Sequence, residues 1–294
     1  MQFNPHHLAA LASVLRRGSF ELAAADLAVT PSAISQRIKA LEDQVGAALI
    51  QRGTPCTGTG AGLRLAKHAE DVGLLEAQLS RDLSLEHSKG NVRLRIAVNA
   101  DSLATWFVAA MAEVPDVLFD LVIDDQDHSA DWLRRGEVSA AITSGGKPVT
   151  GCDSIALGSL RYVATASPDF KRHWFDDGVT AEALAKAPCL TFNAKDALQR
   201  NWIFEQLGRR ISPPTHFLPS SQSFVDATRA GLGWGMNPEH LVRGPLRNAR
   251  LVALIPDAPL DVALTWQVSR IMALSLEPVT QAVQKAARKV LIEN

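Results

Sequence analysis

The sequence predicts an α/β chain in which a helical N-terminal segment precedes a longer region of alternating strands and helices. Apolar residues recur at helical spacing up to about residue 86, whereas short β-branched runs alternate with helical patterns from residue 92 onwards. A length of 294 residues is ample for two domains, and 47% hydrophobic residues are enough for sizeable cores. We therefore expect a small helical domain followed by a larger α/β domain.

Three helices are predicted near the N-terminus. The first covers about residues 5–15. Ser19 is a good N-cap for the second helix, and Thr30 followed by Pro31 starts the third, since proline at the first helical position loses no hydrogen bond. The second and third helices are joined by a tight turn at residues 28–30, which predicts a helix-turn-helix.

The third helix has two distinct faces. Ile34, Ile38 and Leu41 recur at i, i+4 and i+7, which predicts a buried stripe. The other face carries short or flexible hydrogen-bonding groups that suit base edges and phosphates. The predicted DNA-binding residues are Thr30, Ser32, Ser35, Gln36, Arg37, Lys39 and Arg52. The alternative is an ordinary amphipathic surface helix, which also has a polar face.

A short strand, a turn-rich stretch and a further helix follow. The strand is predicted at residues 48–52, the turns at residues 53–62, and the helix begins near Arg64. This order is the layout of a winged helix-turn-helix, in which Arg52 can meet a phosphate. With a net charge of −1 the chain exerts no general attraction on nucleic acid, so DNA contacts need such local basic residues. We assign residues 1–60 to a DNA-binding domain.

A long helix is predicted over residues 61–86, within a linker segment that we place at residues 61–89. Its apolar residues recur at spacings of three and four, interrupted by Glu76, and predict a seam for pairing with another helix. The seam residues are Leu65, Ala69, Val72, Leu79 and Leu83. We favour pairing with a second copy of the chain; the alternative is a helix docked on its own domain. Residues 88–91 mark a domain boundary.

Beyond residue 91 strands and helices alternate, which implies mostly parallel sheets in two units. The predicted strands are residues 92–99, 118–123, 139–143, 160–166, 189–192 and 216–218. The predicted helices are residues 103–111, 129–135, 181–186, 197–207 and 221–230.

Ligands in such folds bind where strand ends meet helix N-termini, because free N–H groups and the helix dipole attract anions. Three loops fit, at residues 99–102, 143–146 and 192–196, with Asp101 and Asp196 available for a cation. A fourth, acidic segment at residues 124–128 either recognises a positively charged group or is a solvated loop. The predicted ligand-binding residues are Asn99, Asp101, Ser102, Trp106, Asp124, Asp125, Thr143, Ser144, Asn193 and Asp196.

Tryptophans lie inside the predicted elements, where core packing is the expected role. They are Trp106, Trp202, Trp234 and Trp266. Trp106 has a second predicted role, because its side chain could also line the ligand pocket.

Enzymatic and cofactor functions find no support in the motifs. No nucleophile–base pair can be argued, and the eight histidines lack metal-binding spacing. The glycines at 231, 233 and 235 do not match the dinucleotide fingerprint. We expect no enzyme activity, no metal and no cofactor other than a small-molecule effector.

The three cysteines, Cys56, Cys152 and Cys189, show neither disulfide nor metal spacing, which suits a reducing cytosol. We expect small buried hydrophobes, with a redox-sensitive Cys56 as the alternative. No signal peptide or membrane-length apolar run is found. The expected location is the cytoplasm, without membrane contact.

The N-terminal signature resembles that of LysR-type transcriptional regulators. The matching residues are 18–20, 23–24, 27, 30–35, 38, 41–42, 45–46, 49, 52, 59 and 61–62. Ile50 departs from the family pattern, which usually has phenylalanine there. The resemblance implies a winged helix-turn-helix that binds double-stranded promoter DNA and a dimerising linker helix. It further implies a two-lobed effector domain, residues 91–294, like that of periplasmic binding proteins.

The same resemblance implies the division of the effector domain and its ligand. The family places crossovers near residues 158–161 and 263–267, which gives lobe I at 91–160 plus 268–294 and lobe II at 161–265. Loop sequences resemble the lysine- and arginine-sensing branch of the family, which controls basic amino acid export. They are residues 99–107, 125–128, 135–138, 141–143, 149–152, 157–158, 192–196, 216–220 and 231–238.

Assembly is also an implication of the resemblance: a homodimer that pairs into a tetramer, with RNA polymerase as a possible partner. Two alternatives remain. One is a LysR-type regulator with a different effector. The other is a solute-binding protein, disfavoured by the helix-turn-helix and the missing signal peptide.

Overall fold

The computed structural model describes residues 2–84, 92–124, 129–145 and 148–293. Its N-terminal region is a helical bundle with a two-stranded hairpin. Its elements are α1 Pro5–Arg17, α2 Phe20–Asp26, α3 Pro31–Val45, β1 Ile50–Gln51, β2 Thr57–Gly58 and α4 Gly60–Asp82. β1 and β2 pair antiparallel. This is the predicted helix-turn-helix with its wing.

Capping residues fix the two helices of this motif as predicted. The Ser19 hydroxyl accepts from the Leu22 amide at 3.3 Å, and the Thr30 hydroxyl accepts from the Ala33 amide at 3.2 Å. Pro31 occupies the first turn of α3. The predicted stripe of Ile34, Ile38 and Leu41 is buried in the core of this region.

Helix α4 is shared between the two parts of the molecule, which divides the predicted seam. Leu65 and Ala69 pack against the N-terminal core, while Leu74 belongs to the core of the following region. Leu79 and Leu83 remain 57% and 59% exposed. The alternative of a docked helix therefore holds for the first part of the seam, and the pairing of its exposed end with a second copy stays a prediction.

In its described residues, the remaining region contains nine strands and further helices. The strands are β3 Val92–Val98, β4 Val117–Ile123, β5 Ala140–Ser144, β6 Cys152–Ala166, β7 Cys189–Thr191, β8 Thr215–Phe217, β9 Gly235–Pro238, β10 Val252–Ala253 and β11 Leu260–Ser269. The helices are α5 Ala100–Ser102, α6 Val108–Ala112, α7 Ser129–Arg134, α8 Pro168–Trp174, α9 Ala181–Lys186, α10 Leu198–Leu207, α11 Ser221–Arg229, α12 Glu239–Arg247 and α13 Glu277–Ala287. A π-helical turn, Leu103–Phe107, joins α5 to α6, and a 3-10 turn, Arg270–Met272, follows β11.

One seven-stranded sheet runs in the order β10-β6-β11-β5-β3-β4, with β9 also paired to β6. β3 is parallel to β4 and β5, as the alternation predicts, and β7 is parallel to β8. β6, by contrast, is antiparallel to β9, β10 and β11, and β11 is antiparallel to β5. The prediction of mostly parallel sheets was therefore wrong for this sheet, because the chain returns along β6 and β11 in opposite directions. Residues 264–268 of β11 pair with both β5 and β6, whereas residues 260–263 pair only with β6. β6 and β11 therefore carry the chain between two lobes.

The crossover on β6 contains Gly158, whose φ of +111° favours glycine. A Cβ there would lie 2.6 Å from the Ile292 carbonyl oxygen, because the C-terminal segment passes close by. The register between β6 and β11 shifts at Leu264/Thr265, opposite this glycine. The predicted crossovers at residues 158–161 and 263–267 coincide with this irregularity.

Several element predictions need correction. β6 begins at Cys152 rather than at residue 160, since the segment before Gly158 lacks a continuous apolar run but pairs with β11. The helices α8, α12 and α13 and the strands β9, β10 and β11 were not predicted. Ser167 nevertheless caps α8 by accepting from the Phe170 amide at 3.3 Å. The helix expected at residues 103–111 begins at Ala100 and passes through a π-helical turn. The boundary at residues 88–91 lies outside the described residues.

Core packing by tryptophan is as predicted. Trp106, Trp202, Trp234 and Trp266 are at most 1% exposed and belong to the largest hydrophobic cluster. No helix in the described ranges has both the length and the apolarity that crossing a membrane requires.

Candidate DNA-binding face and interlobe cleft

The polar face of α3 is presented to solvent. The side chains of Thr30, Ser32, Ser35, Gln36 and Lys39 are exposed and that of Arg37 is partly exposed, opposite the buried stripe of the same helix. The Ser35 hydroxyl donates to the Pro31 carbonyl at 3.1 Å, so its oxygen can still accept a hydrogen bond. The face therefore offers donors and acceptors together with one freely exposed ammonium group.

Arg52 follows the first strand of the wing and is exposed. Its guanidinium carbon lies 5.7 Å from the centroid of the Phe20 ring, at the start of α2. A cation over an aromatic face is attracted to it, which restrains the side chain while leaving it charged. Arg52 is thereby held beside the helix-turn-helix.

A charged cluster that was not predicted ties α1 to the end of α2. The Asp26 carboxylate pairs with Arg16 and Arg17 and accepts from the Ser13 hydroxyl at 2.9 Å. The hydrogen bond from Arg17, with those from Ser13 and Arg16, holds the pKa of Asp26 far below its usual range. The spacing of Arg16 and Arg17 from Asp26 gave no sequence signal, because the contact depends on how the helices cross.

Asp101 lies where the two lobes meet. It belongs to α5 of the first lobe, and its Oδ2 accepts from the hydroxyl of Tyr162 at 2.8 Å. Its Oδ1 accepts from the hydroxyl of Ser221, the first residue of α11 in the second lobe, at 2.6 Å. These two charge-assisted hydrogen bonds join the lobes. Neither Tyr162 nor Ser221 was predicted, although Tyr162 is the single tyrosine of the chain.

A cavity of about 20 Å³ lies beside Asp101, enough for about one water molecule. Its lining residues come from both lobes: Asp101, Phe192, Asp196, Leu198, Ser221, Phe224, Met236, Asn237 and Pro238. Two of them carry carboxylates, and none of these described residues is lysine, arginine or histidine. The charged groups among its polar lining are therefore all negative, set among apolar side chains, which favours a cationic group.

Asp196 and Asn193 shape the loop before α10. Asp196 accepts from the amides of Phe192 at 3.0 Å and Leu198 at 2.9 Å. The Asn193 side chain accepts from the Lys195 amide at 2.7 Å. Asp196 also lines the cavity, whereas Asn193 does not. Of the predicted ligand residues, the structure brings Asp101 and Asp196 together at the cavity.

Asp124 and Ser144 lie at the edges of the cleft. Asp124 accepts from the Trp132 indole at 2.9 Å, and its carboxylate lies 3.8 Å from the Lys195 ammonium of the second lobe. Ser144 lines a separate groove of about 410 Å³ with Leu198 and Asn201 of the second lobe. Asp125 lies outside the described residues, together with the other acidic positions up to residue 128.

The remaining predicted ligand residues lie within the first lobe. Asn99, Ser102 and Thr143 are buried, and Thr143 accepts from the Gln267 amide group at 2.9 Å. Trp106 packs edge-on against Phe107, with ring centroids 5.7 Å apart. None of these four residues lines the cavity in the described conformation.

Two family models match the chain and between them cover nearly all of it. Residues 5–63 match the bacterial regulatory helix-turn-helix protein of the lysR family, and residues 87–288 match the LysR substrate binding domain. The chain belongs to the LysR family of bacterial regulators. The helix-turn-helix match contains every residue predicted to contact DNA, and a helix-turn-helix of this family binds DNA.

Similar LysR proteins are named as transcriptional regulators and not as enzymes. The regulator LysG of Mycobacterium tuberculosis is 45% identical over 286 residues, which are 97% of this chain and 94% of LysG. The crystal structure of ArgP from Mycobacterium tuberculosis superposes with a TM-score of 0.80 at 44% identity, covering all of both chains.

A third similar protein is LysG of Corynebacterium glutamicum, named a lysine export transcriptional regulatory protein. It is 38% identical over 292 residues, which are 97% of this chain and 98% of that protein. Its full-length structure with the effector Arg bound superposes with a TM-score of 0.66 and covers 98% of this chain and 99% of that one.

Proposed function

We propose that this LysR-family regulator senses lysine or arginine in its interlobe cleft and, in response, changes its contacts with promoter DNA. The observation that carries the proposal is the cavity between the lobes, which is lined by Asp101, Asp196 and Asn237 without a basic side chain among its described lining residues. A similar regulator has been solved with arginine bound as its effector. A basic amino acid supplies the positive charge that this lining favours.

Because the cleft is closed in this structure, it must open before the effector binds. A cavity of about 20 Å³ cannot hold an amino acid, so the lobes separate before the ligand enters. Separation breaks the bonds from Tyr162 and Ser221 to Asp101, and the cationic group of the ligand replaces them. The effector then favours a lobe arrangement that differs from the ligand-free one, and this difference in affinity drives the response.

On the DNA side, α3 enters the major groove and its exposed polar face contacts base edges and phosphates. The proposed contacts are Thr30, Ser32, Ser35, Gln36, Arg37 and Lys39, with Arg52 of the wing on the phosphate backbone. We assign residues 1–60 to this domain, 61–89 to the linker and 91–294 to the effector domain, with lobe I at 91–160 and 268–294 and lobe II at 161–265.

We further propose a homodimer that assembles into a tetramer. The free end of the α4 seam, Leu79 and Leu83, lies beside a segment containing Ile271 and Leu274, which are 82% and 77% exposed. The Ser275 hydroxyl donates to the Gln78 side chain at 2.6 Å and holds this segment against the helix. Exposed apolar side chains on neighbouring segments support an association surface here, and paired helix-turn-helix units read paired half-sites.

The setting follows from this function. The protein acts in the cytoplasm on a gene for basic amino acid export, uses no cofactor other than its effector, and contacts RNA polymerase at the promoter. The name of the Corynebacterium glutamicum relative supports the export assignment.

Calorimetry of the full-length protein tests the effector. We expect binding of lysine or arginine at millimolar concentration or below. Norleucine lacks the side-chain ammonium of lysine and citrulline has a neutral side chain, so each should bind at least about tenfold more weakly than its charged counterpart. The absence of heat with both basic amino acids, or equal affinity for norleucine, would contradict the proposal and favour a different effector.

A further inference from the structure

In the side-chain amide of Asn237, the nitrogen makes hydrogen bonds and the oxygen makes none among the described residues. It lies on β9, is 0% exposed and lines the interlobe cavity. Its Nδ2 donates to the hydroxyls of Thr165 at 2.9 Å and Thr228 at 3.2 Å. Its Oδ1 is buried and has no hydrogen-bond partner within the part of the chain that the structure describes. A buried acceptor of this kind raises the free energy of the ligand-free protein.

The orientation of this amide is fixed by Thr228. The Thr228 hydroxyl donates its one proton to the Phe224 carbonyl at 2.8 Å. Its oxygen can therefore only accept from Asn237, which requires Nδ2 on that side and leaves Oδ1 on the other. Rotating the amide by 180° would place two acceptors against each other. The protein thus holds an acceptor, and not a donor, at Oδ1.

The neighbours of Asn237 define what this acceptor can bind. Asp101 and Asp196 line the same cavity, and both carry carboxylates. A ligand group that meets these acceptors together must bring several N–H donors and a positive charge. An ammonium or guanidinium group does so, whereas a hydroxyl or a water molecule offers at most two donors and no charge.

We propose that Asn237 is a specificity-determining residue of the effector cleft, whose Oδ1 accepts a hydrogen bond from a cationic N–H group of the effector beside Asp101. This inference rests on the proposed function, because it assumes a basic amino acid in the cleft. Thr228 is a positioning residue, since it acts only by holding the amide.

Two variants of the full-length protein test this role by calorimetry with lysine and arginine. Asn237→Ala removes the acceptor, and we expect about tenfold weaker binding of the effector. Thr228→Val keeps the shape but frees the amide to rotate, and we expect about threefold weaker binding. The double variant should bind no more weakly than Asn237→Ala, because Thr228 acts through Asn237. Thermal melts show whether each variant is folded, and Thr228→Val carries the test if Asn237→Ala is not.

Norleucine and Nα-acetyl-lysine identify which cationic group Asn237 meets. If it meets the side-chain ammonium, Asn237→Ala weakens binding of Nα-acetyl-lysine and leaves that of norleucine unchanged. If it meets the α-ammonium, the pattern reverses. Either pattern supports the inference.

The possible failures are separate. A wild-type chain that binds neither lysine nor arginine overturns the proposed function. A wild-type chain that binds one of them, with Asn237→Ala and Thr228→Val within twofold of it, overturns only the role of Asn237.

Discussion

The DNA-binding face and the interlobe cleft are built in opposite ways. The face lies on consecutive turns of a single helix, α3, and its side chains are exposed before any partner arrives. The cleft is assembled from Asp101, Tyr162, Ser221 and Asn237, which come from four elements. Asp101 is partly buried and the other three are buried. In the proposed function, the first site is ready to bind, whereas the second must first open. This difference suits an output surface and a sensor.

The largest effect is expected for substitutions on α3, which should weaken DNA binding without changing effector binding. The double variant Gln36→Ala/Lys39→Ala loses a base or phosphate hydrogen bond and one charge. We expect promoter-fragment affinity to fall about a hundredfold and the salt dependence to lose about one counterion. Lysine binding should not change. Electrophoretic mobility shifts at several salt concentrations measure this.

Lys186→Ala is the matched control for that variant, since Lys186 is an exposed lysine paired with Glu182 on α9, far along the chain from α3. Unchanged promoter affinity in Gln36→Ala/Lys39→Ala would show that this face does not read DNA.

An effect of intermediate size, on the stability of the fold, is expected at α4, which joins the N-terminal bundle to the α/β region. Glu70 of α4 is largely buried, and burial raises its pKa to about 7. The charged groups around it are Lys67 and Asp71 on its own helix, Arg95 on β3 and Asp120 on β4. The carboxylates of Asp120 and Asp71 raise this pKa, whereas Lys67 and Arg95 lower it, so burial is the cause of the upward shift.

Glu70 therefore links stability to pH with a definite sign. A raised folded-state pKa means that the stabilisation is complete below 4.5, the ordinary glutamate value, and is lost as pH rises through about 7. Denaturant unfolding should show stability falling by roughly 2 kcal/mol between about pH 5 and 8 from this group. Glu70→Gln should remove that slope and stabilise the protein at pH 8. Glu76→Gln, at an exposed site on the same helix, should leave the pH dependence of stability unchanged. The same pH dependence in Glu70→Gln and Glu76→Gln would contradict the role of Glu70.

The smallest effect is expected at the closed cleft. Ser221→Ala removes one of the hydroxyl donors that compete with the ligand for Asp101, so opening becomes easier. We expect lysine affinity to rise by about threefold to fivefold, as measured by calorimetry. Ser223→Ala is a control on the solvent side of the same helix. A lower affinity in Ser221→Ala would mean that Ser221 binds the ligand directly.

The same contrast explains what the sequence could predict. The caps Ser19 and Thr30 and the stripe of α3 follow from neighbours within a few residues, so their positions were correct. Asp101 and Asp196 were predicted for the cleft because both follow strand ends.

Tyr162, Ser221 and Asn237 gave no such signal. Ser221 meets Asp101 across 120 residues of chain, and the pairing of Tyr162 with Pro238 depends on the register of β6 and β9. Which face a residue of a strand presents is set by tertiary pairing. The same holds for Trp106, whose indole lies in the main core rather than in the cavity.

The central claim is that the cleft controls the contacts made by α3. It is tested most directly by footprinting the full-length protein on its own promoter fragment, with and without lysine or arginine, beside Asp101→Asn. We predict that a basic amino acid changes the footprint or the DNA affinity of the wild-type chain, that norleucine does not, and that Asp101→Asn binds DNA normally but no longer responds. A response to norleucine as large as that to lysine, or an unaltered response in Asp101→Asn, would contradict the account.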